Sequence, residues 1–291
     1  MDPTRASGKQ PRRTITVTNA NRGWQKLMRK ISFRLLAGLA LILAGCATQP
    51  TGSRPPGYKL VWSDDFKGQA LDTNKWVYWL SGPRRSAINV ANAVSVAEGK
   101  LTITSYTEAG RQYTGMISSE GKFAPVHGYW EARIRYADAP GMWSAFWLQS
   151  PTMGRPIGNT EQAGIEVDIC EHRSSSTEGT NLAARVQHTL HWDGYGRFHK
   201  SKGHLTPDLK LDQGFHVYGC EVTTNGYQFY VDGQPTWTEH DAVSNAKEFV
   251  ILSSEIDDHA WAGHIPTAGY GDIHHSQTKM TVDYVRYYAP E

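Results

Sequence analysis

Cysteine is scarce in this chain, with three in 291 residues, too few to form the disulfide framework of a small secreted scaffold. Long apolar runs are missing too. The most apolar stretch, residues 35–43, is too short for a membrane-spanning helix. Extended helical periodicity is scarce, which argues against a helix bundle, and no internal repeat is present. An excess of positive charge is also absent once the N-terminus is set aside. Of 30 Lys and Arg and 28 Asp and Glu, nine basic and one acidic residue lie within 1–45. The remainder holds 21 basic against 27 acidic residues, a net charge of −6 with His neutral. That balance excludes the basic face of a nucleic-acid partner. What the chain does hold is 28 Gly and 10 Trp, the mix of a turn-rich, all-β protein with an aromatic-lined surface. Its length suffices to bury a sizeable core.

The N-terminus reads as a targeting segment and is left out of the fold. Arg29, Lys30 and Arg34 precede the apolar run, which ends in Leu43-Ala44-Gly45-Cys46. That ending resembles the bacterial lipoprotein signal-peptidase box. The resemblance implies that Cys46 is the lipidated first residue of an exported protein anchored to a bacterial membrane, at the outer membrane or cell surface. An ordinary cleaved signal with a chance cysteine is the alternative. Within the leader, 1–45, Met28 is the start that gives an ordinary length. Residues 46–57 are polar with Pro and Gly and read as a flexible tether. Residues 58–291 show no shift in composition and read as one domain, expected to be a monomer. Cys170 and Cys220 lie in apolar strand-like runs and read as buried free thiols; a disulfide between them is the alternative.

Strand-like runs recur at 93–96, 101–106, 115–118, 128–136, 143–148, 184–192, 216–223, 226–231, 249–254 and 280–288, with turn signals between them. Asp232-Gly233 marks a hairpin. The pattern predicts a β-sandwich of two packed sheets. In residues 142–148, Trp143, Ala145 and Trp147 share one face, while Phe146 and Leu148 share the other. Trp143 and Trp147 are therefore candidates for a concave surface, where aromatic rings stack on the C–H faces of sugars. Core packing is the alternative for each.

The most informative stretch is Glu166-Val167-Asp168-Ile169-Cys170-Glu171. In a regular strand Glu166 and Asp168 point one way and Glu171 the other. A β-bulge around Ile169-Cys170 adds one residue and returns Glu171 to the same face. Three carboxylates so gathered suit glycoside hydrolysis with retention, which needs a nucleophilic carboxylate and a carboxylic acid about 5 Å apart. A surface strand with its acids facing water is the alternative.

These pieces, in this order, resemble the family 16 glycoside hydrolases, enzymes built on a concanavalin-like β-jelly roll. The likeness runs over residues 58–289. It is carried by 60–66 with 71–76, 98–101, 117–123, 128–135, 141–148 and 280–288, around an E-x-D-x-x-E signature. The resemblance implies that Glu166 is the nucleophile and Glu171 the acid/base, with Asp168 hydrogen-bonded to Glu166. It implies substrate contacts from Gln187 and His191, which share parity with Thr189, and from Asn92, with Glu255 at the cleft edge. It implies no cofactor for catalysis, and a structural Ca²⁺ held by Asp65, Gly99 and Asp283. A zinc site at His188 and His191 is disfavoured, since residues three apart on a strand face opposite ways. The expected activity is an endo-β-1,3(4)-glucanase acting on a polysaccharide. The alternatives are an endo-β-galactanase on agar or carrageenan, for which Arg84, Arg85, Arg173 or Arg197 would supply a cationic cleft, and a non-catalytic carbohydrate-binding protein.

Overall fold

The computed structural model describes residues 54–137, 139–211 and 214–291. The leader, Cys46 and tether residues 46–53 lie outside the described residues. Among the described residues no helix is long and apolar enough to cross a membrane.

Two antiparallel sheets make the fold. The first runs Gln234–Glu239, Gly226–Val231, His216–Thr223, Gly128–Arg135, Lys279–Pro290, Lys100–Thr104 and Val94–Ala97, with Tyr58–Asp64 also paired to Lys279–Pro290. The second runs Lys200–Leu205, Gln187–Trp192, Glu166–Arg173, Met142–Gln149, Phe249–Ile256, Met116–Ser118 and Val77–Tyr78. A small third sheet joins Gly82–Arg84, Ala87–Asn89, Arg111–Thr114 and Tyr106–Glu108. Spatial neighbours are often far apart in sequence: Gly128–Arg135 lies between His216–Thr223 and Lys279–Pro290. This is the β-sandwich that the strand spacing predicts, with the jelly roll that the resemblance implies. Helical structure among the described residues is confined to Ala91–Ala93 and Thr160–Ala163.

Alternation builds the sandwich. Phe146, Leu148, Val167, Leu190, Val250 and Leu252 of the second sheet meet Trp130, Ala132, Ile134, Tyr218 and Val285 of the first in one apolar core. Each large side chain buried there contributes roughly 1.5–3 kcal/mol. Cys170 and Cys220 are both buried free thiols. At Asp232 (φ 48°) and Gly233 (φ 75°) both residues take the left-handed conformation, as the tight turn between Gly226–Val231 and Gln234–Glu239 requires. Gly164, at φ 71°, leads into Glu166–Arg173. A Cβ there would stand 2.3 Å from Ser150 and 2.9 Å from Ala246, so no other residue fits without displacing its neighbours.

Two buried acids show how polar groups are handled off the second sheet's open face. Asp64 ends the first strand and accepts from the Phe66 amide (2.9 Å) and Trp76 Nε1 (2.8 Å), satisfying a buried indole. Glu248 is buried too, yet neither carboxyl oxygen reaches a well-formed hydrogen bond. Burial pushes it up to about 7, only partly offset by the Ser244 hydroxyl and the Ile165 amide. Native Glu248 thus holds a proton that the unfolded chain releases above its ordinary value. Its contribution to stability is therefore lost as pH rises through that window, from about 4.5 to about 7. Glu248→Gln, which cannot ionise, is expected to gain stability relative to wild type across the same window, by about 2–3 kcal/mol at its upper end. Urea unfolding at pH 5 and pH 8 checks this; an equal difference at both values would contradict it.

Candidate active site

The strand Glu166–Arg173 is bulged where the sequence places the irregularity. Against Met142–Gln149, Trp147 pairs with Asp168 and Phe146 with Cys170, so Ile169 is the extra residue. Against Gln187–Trp192 the register also slips between Asp168 and Glu171. Ile169 and Cys170 both enter the apolar core, and Glu166, Asp168 and Glu171 all line one open cleft of about 910 Å³. That volume is at the large end for ligand pockets.

Trp143, Trp147, Gln187 and His191 line the same cleft, as do Arg84, Arg85 and Glu255. Trp147 Nε1 donates to Ser253 Oγ (3.1 Å), which sets its ring angle. Trp143 has Arg85 over its ring at 4.9 Å and Trp261 edge-on at 5.4 Å. Gln187 donates to the His188 carbonyl (3.1 Å). His188 faces the opposite way from His191: it is buried, with Nδ1 2.7 Å from the Ile169 carbonyl oxygen at the bulge.

One expectation differs from the geometry. Asn92 is exposed on the turn Ala91–Ala93, accepts from the Tyr106 hydroxyl at 3.4 Å and is not part of the cleft lining. The 3₁₀ turn breaks the alternation that would have aimed it inward. Asp168 Oδ2 stands 3.4 Å from His191 Nε2. The carboxylates expected to hold calcium have other partners. Asp65 pairs with Arg286 (3.3 Å) and Lys67 (3.7 Å), and Asp283 with Arg133 (2.8 Å). Both carboxylates are thus engaged by cationic side chains. Gly99 is a left-handed turn residue (φ 70°).

Tyr195, Trp79, Trp261, Gln149 and His199 also line the cleft and were not singled out from sequence. Tyr195, Trp79, Trp261 and His199 lie outside the strands, where no alternation assigns a direction. The ring of Tyr195 is exposed, while its hydroxyl donates to Glu166 Oε2 and to Gln149 Oε1 (2.8 Å). The only local signal was an aromatic flanked by glycines, Gly194-Tyr195-Gly196.

Crowded carboxylates set the electrostatics. Burial and then the charge of Asp168 push Glu166 up to about 8, opposed by the Tyr195 hydroxyl and by His191. Burial, then Glu255, raises Asp168 to a similar value. Burial, then the charges of Asp168 and Glu166, holds Glu171 well above the usual carboxylate range. The donors that stabilise an anion are unevenly shared. Glu166 receives the Tyr195 hydroxyl, whereas Glu171 receives only Thr189 Oγ1 at a long 3.3 Å. Glu171 is therefore the proton holder, and Glu166 is the end better supplied for ionisation.

The chain matches the family described as β-porphyranase A–D, GH16 domain, over residues 59–290. It is 35% identical over 207 residues to β-porphyranase E of Zobellia galactanivorans, covering 63% of this chain and 71% of that protein. It is 28% identical over 225 residues to a β-glucanase of Rhodothermus marinus, covering 72% and 73%. Two solved structures share the fold. The laminarinase catalytic domain of Thermotoga petrophila superposes with a TM-score of 0.64 at 23% identity, covering 80% of this chain and 98% of that one. Porphyranase B of Zobellia galactanivorans does so with 0.65 at 20%, covering 82% and 97%.

Tyr195→Phe removes the hydroxyl that favours ionised Glu166. The Glu166 carboxyl is expected to titrate at higher pH in the variant, read by carbon-detected NMR of labelled glutamate. An unchanged midpoint would show that the hydroxyl does not act on Glu166.

Proposed function

Because this chain belongs to glycoside hydrolase family 16, in its β-porphyranase A–D group, we propose that it cleaves a polysaccharide internally by double displacement, through Glu166 and Glu171. The single observation that carries this reading is the bulge that turns Glu166, Asp168 and Glu171 to one cleft. Protonated Glu171 donates to the glycosidic oxygen while ionised Glu166 attacks the anomeric carbon from the opposite face. The C–O bond to the leaving sugar breaks as the glycosyl ester forms. Glu171, now a carboxylate, takes a proton from water, which attacks the same carbon and frees Glu166. Asp168, buried between the two, shares their crowding and helps to hold the group towards protonation.

We favour a neutral β-1,3(4)-glucan as the substrate. The two arginines that line the cleft are paired with carboxylates. Arg84 Nε donates to both oxygens of Glu255 (2.9 and 3.0 Å), its Nη2 donates to Oε1 (2.6 Å), and Arg85 Nε donates to Oε2 (2.6 Å). Arg85 also lies 3.6 Å from Asp257, and Arg173 is stacked on Trp261 at 4.0 Å. A β-galactan of the porphyran and agar class is the second reading, favoured by the family match and by the 35% identical porphyranase. Attachment to a bacterial membrane through Cys46 accompanies either reading and rests on the Leu43-Ala44-Gly45-Cys46 sequence.

Reducing-sugar release from laminarin, lichenan, agarose and porphyran, measured side by side, tests the substrate. Release from the glucans supports the first reading; release from galactans alone replaces it with the second. Glu166→Ser is expected to abolish turnover while oligosaccharide binding persists, and Glu171→Gln to lower kcat by roughly 10²–10⁴-fold. Wild-type turnover in Glu166→Ser would overturn the assigned roles, and binding without turnover in the wild-type protein would point to a carbohydrate-binding module.

A further inference from the structure

Beyond the catalytic strand, the loop after Phe249–Ile256 gathers three metal-binding side chains at the protein surface. One ligand atom from each of Asp258, His259 and His264 lies within 4.8 Å of the other two. We propose that these residues form a surface site for Zn²⁺, distinct from the carboxylate cluster of the cleft.

The donor set is two imidazole nitrogens and one carboxylate oxygen, which suits Zn²⁺ and suits the hard cations Ca²⁺ and Mg²⁺ poorly. Ligand atoms of a tetrahedral zinc ion, each about 2.0–2.2 Å from the metal, stand about 3.3–3.6 Å apart. His259 Nε2 and Asp258 Oδ2 already stand 3.4 Å apart. The rings of His259 and His264 meet edge to face with centroids 4.4 Å apart, so His264 approaches the same point from another side. All three residues are exposed, which leaves a fourth position for water.

The carboxylate is held as a metal ligand needs to be held. Asp258 Oδ1 accepts from the amides of Ile265 (2.9 Å) and His259 (3.1 Å), which orients Oδ2 towards His259. The Asp258 amide in turn donates to Ser86 Oγ (3.1 Å). Outer hydrogen bonds of this kind fix the direction of ligating oxygens. Between the ligands, the Gly263 amide donates to the Ala260 carbonyl (2.9 Å), so residues 258 and 264 are brought back together across a short closed turn.

The location gives the ion a consequence. Trp261 lies inside the turn closed by the three ligands and is part of the cleft lining. Its ring stacks under Arg173 and meets Trp143 edge-on. Zinc bound at Asp258, His259 and His264 ties both ends of the segment that presents Trp261, and so fixes one aromatic wall of the cleft.

Zinc titration of the full chain against a chromogenic zinc indicator tests this, with His259→Ala, His264→Ala and His191→Ala run in parallel and melting curves confirming that each variant is folded. The expected result is one saturable site whose affinity falls at least tenfold in His259→Ala and in His264→Ala and is unchanged in His191→Ala. Loss confined to His191→Ala would assign the ion to Glu166, Asp168 and His191 in the cleft and overturn the proposal. Absence of saturable binding, or binding indifferent to His259 and His264, would overturn it as well.

Discussion

One extra residue in one strand decides what this protein can do. A regular strand from Glu166 to Glu171 would send the last carboxylate into the apolar core, at the cost of several kcal/mol for a buried unpaired charge. The bulge instead spends two successive positions, Ile169 and Cys170, on the core side. The buried ring of His188 supports it there, with Nδ1 close to the Ile169 carbonyl oxygen. Hydrophobic burial on one side of the sheet thus holds the three acids together on the other. The same bond between core and site extends upstream, where Gly164 admits the close packing of Ser150 and Ala246 just before the catalytic strand.

Gathering acids in this way creates an electrostatic problem that the surrounding loops answer unequally. Asp168 raises both glutamates, Glu166 adds to Glu171, and the whole group is pulled towards protonation by burial. The loop bearing Tyr195 returns a donor to Glu166 and leaves Glu171 with a distant one. That inequality sets the environments of Glu166 and Glu171 apart within a single strand. At the cleft edge Glu255 is met by two arginines, so its charge is compensated locally while Trp143 and Trp147 keep the wall aromatic.

Strand parity carried the reading of Trp143, Trp147, Gln187 and His191 correctly into the cleft, because each lies in a regular strand where direction alternates. Asn92, expected to reach the cleft from an early strand, sits instead on a 3₁₀ turn. Tyr195, Trp79 and Trp261 escaped it for a related reason: loop side chains take their direction from contacts across the fold. Asp65 and Asp283 take partners far away in sequence, Arg286 and Arg133.

The amino-acid sequence by itself determined the β-sandwich, the family and the need for a bulge, since alternation of apolar and polar residues is a local property and three acids at that spacing have few other uses. Tertiary structure alone decided which carboxylate is served by Tyr195, that the cleft arginines pair with Glu255, and that Asp258, His259 and His264 converge around Trp261. Each of these depends on the distance between side chains set by loops and by strands remote in sequence. No local pattern encodes such a distance; the packing of the two sheets and the closure of their loops fix it.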